Sequence, residues 1–160
     1  MDSNRLAFRI NIRFSGFLQD ISFIKENPGI YFRELISESK INKGTAEYHL
    51  KILEMAGLIT SLQNKAYKRY FLNDSTFSSR EQAVLSALRE RTPRKILVTL
   101  LENPGLSHGE IANAVGISRP AVASHMKTMA KNGIVISEYT STTLKHYISS
   151  EFLPVVQKYK

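Results

Sequence analysis

The sequence predicts a mainly helical α+β protein: two tandem copies of one small domain, each closed by a β-hairpin, with a helix between them. Three observations carry this. Glu26-Asn27-Pro28-Gly29-Ile30 recurs as Glu102-Asn103-Pro104-Gly105-Leu106, an offset of 76 residues. The offset persists without a gap, matching Glu34 with Glu110, Ile41 with Ile117, His49 with His125, Lys51 with Lys127 and Gly57 with Gly133. Within each copy the apolar period changes from helical spacing to the alternation of strands. A solenoid needs at least ~3 repeats, so each copy is expected to build its own core.

The elements follow in chain order. Residues 1–16 stand outside the repeat and read as a strand-like arm, because Leu6, Phe8, Ile10, Ile12 and Phe14 alternate. Arg5, Arg9 and Arg13 at i, i+4 spacing leave a basic amphipathic helix as the alternative. The first domain is expected over 17–76, a linker helix within 77–92, the second domain over 93–150 and a tail over 151–160. The linker opens with Ser78 and Glu81, a capping-box pair, and carries Val84, Leu85 and Leu88 at helical spacing.

Each domain begins with a helix: Phe17, Leu18, Ile21 and Ile24 in one copy, and Ile96, Leu97, Leu100 and Leu101 in the other. Thr92 before Pro93 reads as an N-cap with proline at the first helical position. Asn-Pro-Gly ends this helix. A second helix starts at Ser107-His108-Gly109-Glu110, a capping box whose hydroxyl is missing from Tyr31-Phe32-Arg33-Glu34. Gly116-Ile117-Ser118 then makes a turn and caps a third helix. In copy one Asn42 can cap, but Lys40 replaces the turn glycine, so a different turn is expected. The third helix runs from Lys43 to Ala56 and from Arg119 to Asn132, with stripes Ala46/Leu50/Leu53 and Val122/Met126/Met129. Hairpins follow at 58–72 and 134–149.

Helix, helix, turn, helix and hairpin is the order of a winged helix-turn-helix. The run Glu26-Asn27-Pro28-Gly29-Ile30-Tyr31-Phe32-Arg33-Glu34-Leu35, with Gly44-Thr45-Ala46-Glu47-Tyr48-His49-Leu50-Lys51-Ile52-Leu53-Glu54 and Gly57-Leu58-Ile59, resembles the tandem winged-helix transcriptional regulators of methanogenic archaea. Those are relatives of the bacterial ArsR and MarR types. The resemblance covers residues 17–149. It implies two winged helix-turn-helix domains and regulation by binding double-stranded DNA.

Composition supports that class. Lys and Arg number 22 against 14 Asp and Glu, a net charge of +8 that favours polyanionic partners. The excess is divided: +3 over residues 1–76 and +5 over 77–160. There is no cysteine, which excludes disulfides, thiolate metal sites and a cysteine nucleophile. No apolar run reaches the ~18 residues of a membrane span, so a cytoplasmic protein is expected. No Gly-rich phosphate loop and no His-x₃-His or His/Cys cluster is present. Neither an enzyme, nor a cofactor, nor a bound metal is therefore expected.

A helix fits the major groove, and its N-terminal half carries the side chains that reach base edges. The faces opposite the apolar stripes nominate Asn42, Lys43, Thr45, Tyr48, His49 and Lys51 in copy one, and Ser118, Arg119, Ser124, His125 and Lys127 in copy two. Arg119 is suited to bidentate contact with guanine, while Lys43, Lys51 and Lys127 suit phosphates. Lys65, Lys68 and Arg69 form a basic first wing, and Lys145 a weaker second one. Glu47 is awkward on a face meant for phosphate. The alternative reading is a protein-interaction module of tandem winged helices, as in chromosome-segregation-like assemblies. A homodimer is expected through the linker stripe or the N-terminal arm.

Overall fold

The computed structural model describes residues 14–64 and 67–160. The chain divides into two compact units, Met1–Phe77 and Ser78–Lys160. In the first, α1 (Phe14–Glu26) leads through a short strand β1 (Ile30–Tyr31) into α2 (Phe32–Ser39) and α3 (Lys43–Met55). The hairpin β2 (Ile59–Asn64) and β3 (Tyr67–Leu72) closes the unit. In the second, α4 (Ser79–Leu88), α5 (Arg91–Glu102), α6 (His108–Val115) and α7 (Arg119–Lys131) precede the hairpin β4 (Val135–Thr140) and β5 (Thr143–Ile148), and α8 (Leu153–Tyr159) ends the chain.

In the first unit Ile24, Leu35, Ala46, Leu50, Leu53 and Ile59 form the core. Phe17 and Ile21 pack against it from α1, while Leu18 on the same helix is exposed. β1 adds a third strand that two residues of sequence did not announce. It pairs antiparallel with β3, giving the order β1-β3-β2 and placing Ile30 opposite Tyr70 and Tyr31 opposite Arg69. The second unit has only a two-stranded sheet there, with an isolated bridge from Leu106 to His146 in the equivalent place.

Two segments expected outside the second domain belong to its core. Val84 and Leu88 of α4, and Phe152 and Val156 at the start of and along α8, are buried with Ile96, Leu97, Ile111, Val122 and Met126. Helix α4 is therefore a packed element rather than a linker, and residues 152–159 are not a tail. Its capping box forms as expected, Ser78 accepting from the Glu81 N–H and Glu81 from the Ser78 N–H. Thr92 does not cap α5; that helix starts two residues earlier than expected, at Arg91, with Glu90 at the N-cap position. Of the arm expected over 1–16, residues 14–16 open α1 and the remainder lies outside the described residues. No helix among the described residues is long and apolar enough to cross a membrane.

The turn between the second and third helices is alike in both units. Gly116 ends α6 with φ 76°, and Lys40 ends α2 with φ 55°, both in the left-handed region. The different turn expected from Lys40 is not adopted. The packing of α3 against α2 and α1 forces the lysine into a conformation that costs an L-residue about 1–2 kcal/mol. Lys40→Gly is thus expected to stabilise the first unit by about 1 kcal/mol, read as a rise in the urea midpoint of its unfolding; an unchanged or lower midpoint contradicts the strain.

Candidate nucleic-acid interface

Helices α3 and α7 are held the same way. Asn42 accepts from the Thr45 N–H at 2.9 Å, and Ser118 accepts from the Ala121 N–H at 3.3 Å. Both side chains are thus engaged in capping, and both residues are exposed. The stripes Ala46/Leu50/Leu53 and Val122/Met126/Met129 are buried, which fixes the opposite face of each helix toward solvent.

On α7 that face carries Arg119, Ala123, Ser124, Lys127 and Lys131, all exposed, with His125 half-buried at its edge. The helix has no carboxylate. Arg119, Lys127 and Lys131 make no ion pair among the described residues. The Arg119 guanidinium lies across Gly109 in the first turn of α6, where an added Cβ would come 3.1 Å from its Nη2. Lys131 was not nominated from the sequence, since it lies in the last turn, beyond the N-terminal half that reads bases.

The face of α3 differs. Lys43 pairs with Glu47 at 3.7 Å. Glu54 receives Lys68 of the wing at 2.8 Å and the Ser61 hydroxyl at 2.6 Å. Burial works to raise the Glu54 carboxyl, but these partners outweigh it and hold it below the ordinary value. Tyr48 stands 60% exposed, Lys51 is exposed and Thr45 is half-buried. An open cleft of about 360 Å³ lies between α3 and β3, with Leu50 and Tyr70 in its lining and Glu54 and Lys68 bridged beside them.

Two nominated residues are not available to a ligand. His49 is only 7% exposed; its Nδ1 meets Asp20 Oδ2 at 2.6 Å and its ring stacks on Phe17. Burial pushes the Asp20 carboxyl above its usual range, and His49 pulls it back only in part. The equivalent of Asp20 in the second unit is Ile96, so His125 has no such partner. Arg69 is 3% exposed because β3 is the central strand; its Nη1 donates to the Gly29 carbonyl at 3.0 Å and its guanidinium lies over Tyr31. Lys65 lies outside the described residues.

The second wing is also engaged. Lys145 donates to Glu110 at 3.0 Å. The backbone and hydroxyl of Ser107, and then Lys145, hold the Glu110 carboxyl down at about 2. His146, in the place of Tyr70, is 1% exposed, hydrogen-bonds Ser137 through Nδ1 at 2.8 Å and stacks on His108. Burial, with a smaller contribution from His108, lowers its pKa to about 4. Among the described residues no group of three or more His, Asp or Glu side chains is assembled for a metal ion.

Comparison with known proteins finds two family models along the chain. Residues 89–136 match "Winged helix-turn-helix DNA-binding", and residues 20–85 match an "N-terminal HTH domain". The chain thus carries two tandem winged helix-turn-helix domains. It is 29% identical over 132 residues to an uncharacterised HTH-type transcriptional regulator of Methanocaldococcus jannaschii, covering 82% of this chain. The match spans about a third of that regulator, 33% of its length. Among solved structures it is similar to a predicted DNA-binding transcriptional regulator from E. coli, with 26% identity, TM-score 0.44, and coverage of 48% of this chain and 81% of that one. HlyU from Vibrio cholerae has 24% identity and TM-score 0.47, covering 52% and 91%.

The buried His146 makes stability depend on pH. The unfolded histidine titrates near 6.5 and the folded one near 4, so the unfolded chain takes up the proton first as pH falls. Stability of the second unit is therefore lost from about pH 6.5 down to about pH 4, by about 2 kcal/mol between pH 7 and pH 5. Urea midpoints at the two pH values measure this, and His146→Gln is expected to flatten the difference; an undiminished difference in the variant contradicts it.

Proposed function

We propose that the protein is a transcriptional regulator that binds double-stranded DNA and acts by occupying its site. The observation that carries this reading is the α7 face: a capped, rigidly packed helix presenting Arg119, Ser124, Lys127 and Lys131 on a winged helix-turn-helix scaffold. Small residues at Ala123 and Ser124 allow close approach to a groove. The chemistry of Arg119, at the first turn, suits the O6 and N7 acceptors of guanine, and that of Lys127, further along, suits phosphate. The regulator to which the chain is similar supports the same reading.

Fluorescence anisotropy with labelled duplex over a range of salt tests it. The logarithm of affinity is expected to fall with the logarithm of salt with a slope near −0.9 for each phosphate contacted. A salt-independent signal contradicts DNA binding and favours the protein-interaction module. On a duplex selected from random fragments, Arg119→Ala is expected to cost about 1–3 kcal/mol, and less on random DNA. Equal losses on both demote Arg119 to a phosphate contact.

A homodimer belongs to the same proposal, since one winged module covers only ~600–1,000 Å² of surface and two-fold symmetry matches a palindromic site. The stripe Val84/Leu85/Leu88 does not supply that interface, because all three residues are already buried, Val84 and Leu88 in the core of the second unit. Sedimentation equilibrium at micromolar concentration is expected to give twice 18.1 kDa; a clean 18.1 kDa species contradicts the dimer.

A further inference from the structure

The repeat allows the two exposed helix faces to be compared position by position. At an offset of 76, Lys43 corresponds to Arg119, Glu47 to Ala123, Tyr48 to Ser124, Lys51 to Lys127, Glu54 to Ala130 and Met55 to Lys131. The scaffolds agree: both helices have 13 residues, an oxygen cap at the preceding residue and the same buried stripe. The chemistry does not. Helix α3 bears two lysines and two glutamates, for a net charge of zero, and α7 bears three cations and no carboxylate. In the first unit the carboxylates are also in place to occupy the cations, Glu47 against Lys43 and Glu54 against the wing's Lys68. Arg69 is buried and Lys65 lies outside the described residues; of the nominated cations that remain, Lys51 makes no ion pair among the described residues.

From this we infer that the two domains do unequal work: phosphate binding is carried by the α7 face of the second unit, and the equivalent α3 face of the first does not bind the DNA backbone. The inference rests on the reading that the protein binds duplex DNA. Its physical basis is counterion release. A cation already paired with a carboxylate brings no net charge to the phosphates, and displacing that carboxylate exposes a second negative charge to the backbone. Where copy two has Ala123 and Ala130, copy one has Glu47 and Glu54. Tyr48 and Met55 fill the places of Ser124 and Lys131, so bulk and apolar surface replace the small and cationic groups that suit a groove.

The test uses the full chain and a mixed-sequence duplex of about 30 base pairs, with affinity measured across salt. One variant removes charge from the second unit (Arg119→Gln, Lys127→Gln, Lys131→Gln), and another from the first (Lys43→Gln, Lys51→Gln, Lys68→Gln). The second-unit variant is expected to lose at least about tenfold in affinity and to flatten the salt slope by about 2–3. The first-unit variant is expected to stay within about twofold of wild type, with its slope unchanged. Ala123→Glu, which gives α7 the carboxylate of copy one at an exposed position, is expected to weaken binding without altering thermal unfolding. Equal flattening by the two triple variants overturns the inference, as does an Ala123→Glu chain that binds like wild type. Both outcomes leave the DNA-binding reading in place. Absence of salt-dependent binding by the wild-type chain overturns both.

Discussion

In each unit the chain must turn between two helices within three residues and arrive with the third helix ready capped. That requirement is met by one left-handed residue followed two positions later by an oxygen-bearing cap: Lys40 and Asn42, Gly116 and Ser118. The rest depends on it. The left-handed residue sets the angle at which α3 or α7 leaves, the cap fixes its first turn, and the apolar stripe then meets the two preceding helices. With the stripe buried, the outer face is determined without further choice, and the wing follows directly after the helix ends. That a lysine is held at φ 55° where glycine would be comfortable measures how strongly packing imposes this geometry over local preference.

Duplication kept this scaffold and changed what lies on and in it. Inside, Ile96 occupies the place of Asp20, so an apolar side chain stands where the first unit has a buried pair with His49. In the second unit only the carboxylate is exchanged: the histidine remains as His125, half-buried rather than buried, so its imidazole is not left unpaired in a core. The two units therefore reach similar cores by different chemistry. In the sheets, His146 takes the place of Tyr70, and β1 exists only in the first unit. On the surface, the carboxylates of α3 become alanines in α7. A shared fold with divergent faces gives a single chain two modules that need not perform the same task.

Much of this was legible beforehand. The unbroken offset of 76 residues located both units, the periods gave the helices and hairpins, and Ser78, Ser107, Asn42 and Ser118 marked helix starts that the structure uses. What escaped has identifiable causes. Helices α4 and α8 have no counterpart in the repeat, so nothing in the internal comparison tied them to a core. His49 lies three residues after Ala46 and four before Leu53, on the buried stripe; its polar type masked its position, and the exchange of Asp20 for Ile96 was the available signal. By pattern Arg69 belongs to an alternating two-stranded wing. It is buried because β1, too short to declare itself by pattern, makes β3 a central strand.

The central claim is that two copies of one scaffold present different faces and that the one on α7 meets DNA. Backbone amide chemical shifts of the full chain, followed by NMR while duplex is added, test it most directly. The account predicts shifts concentrated in residues 118–131, with residues 42–55 little changed. Shifts of equal size along both helices, or confined to residues 42–55, would contradict it.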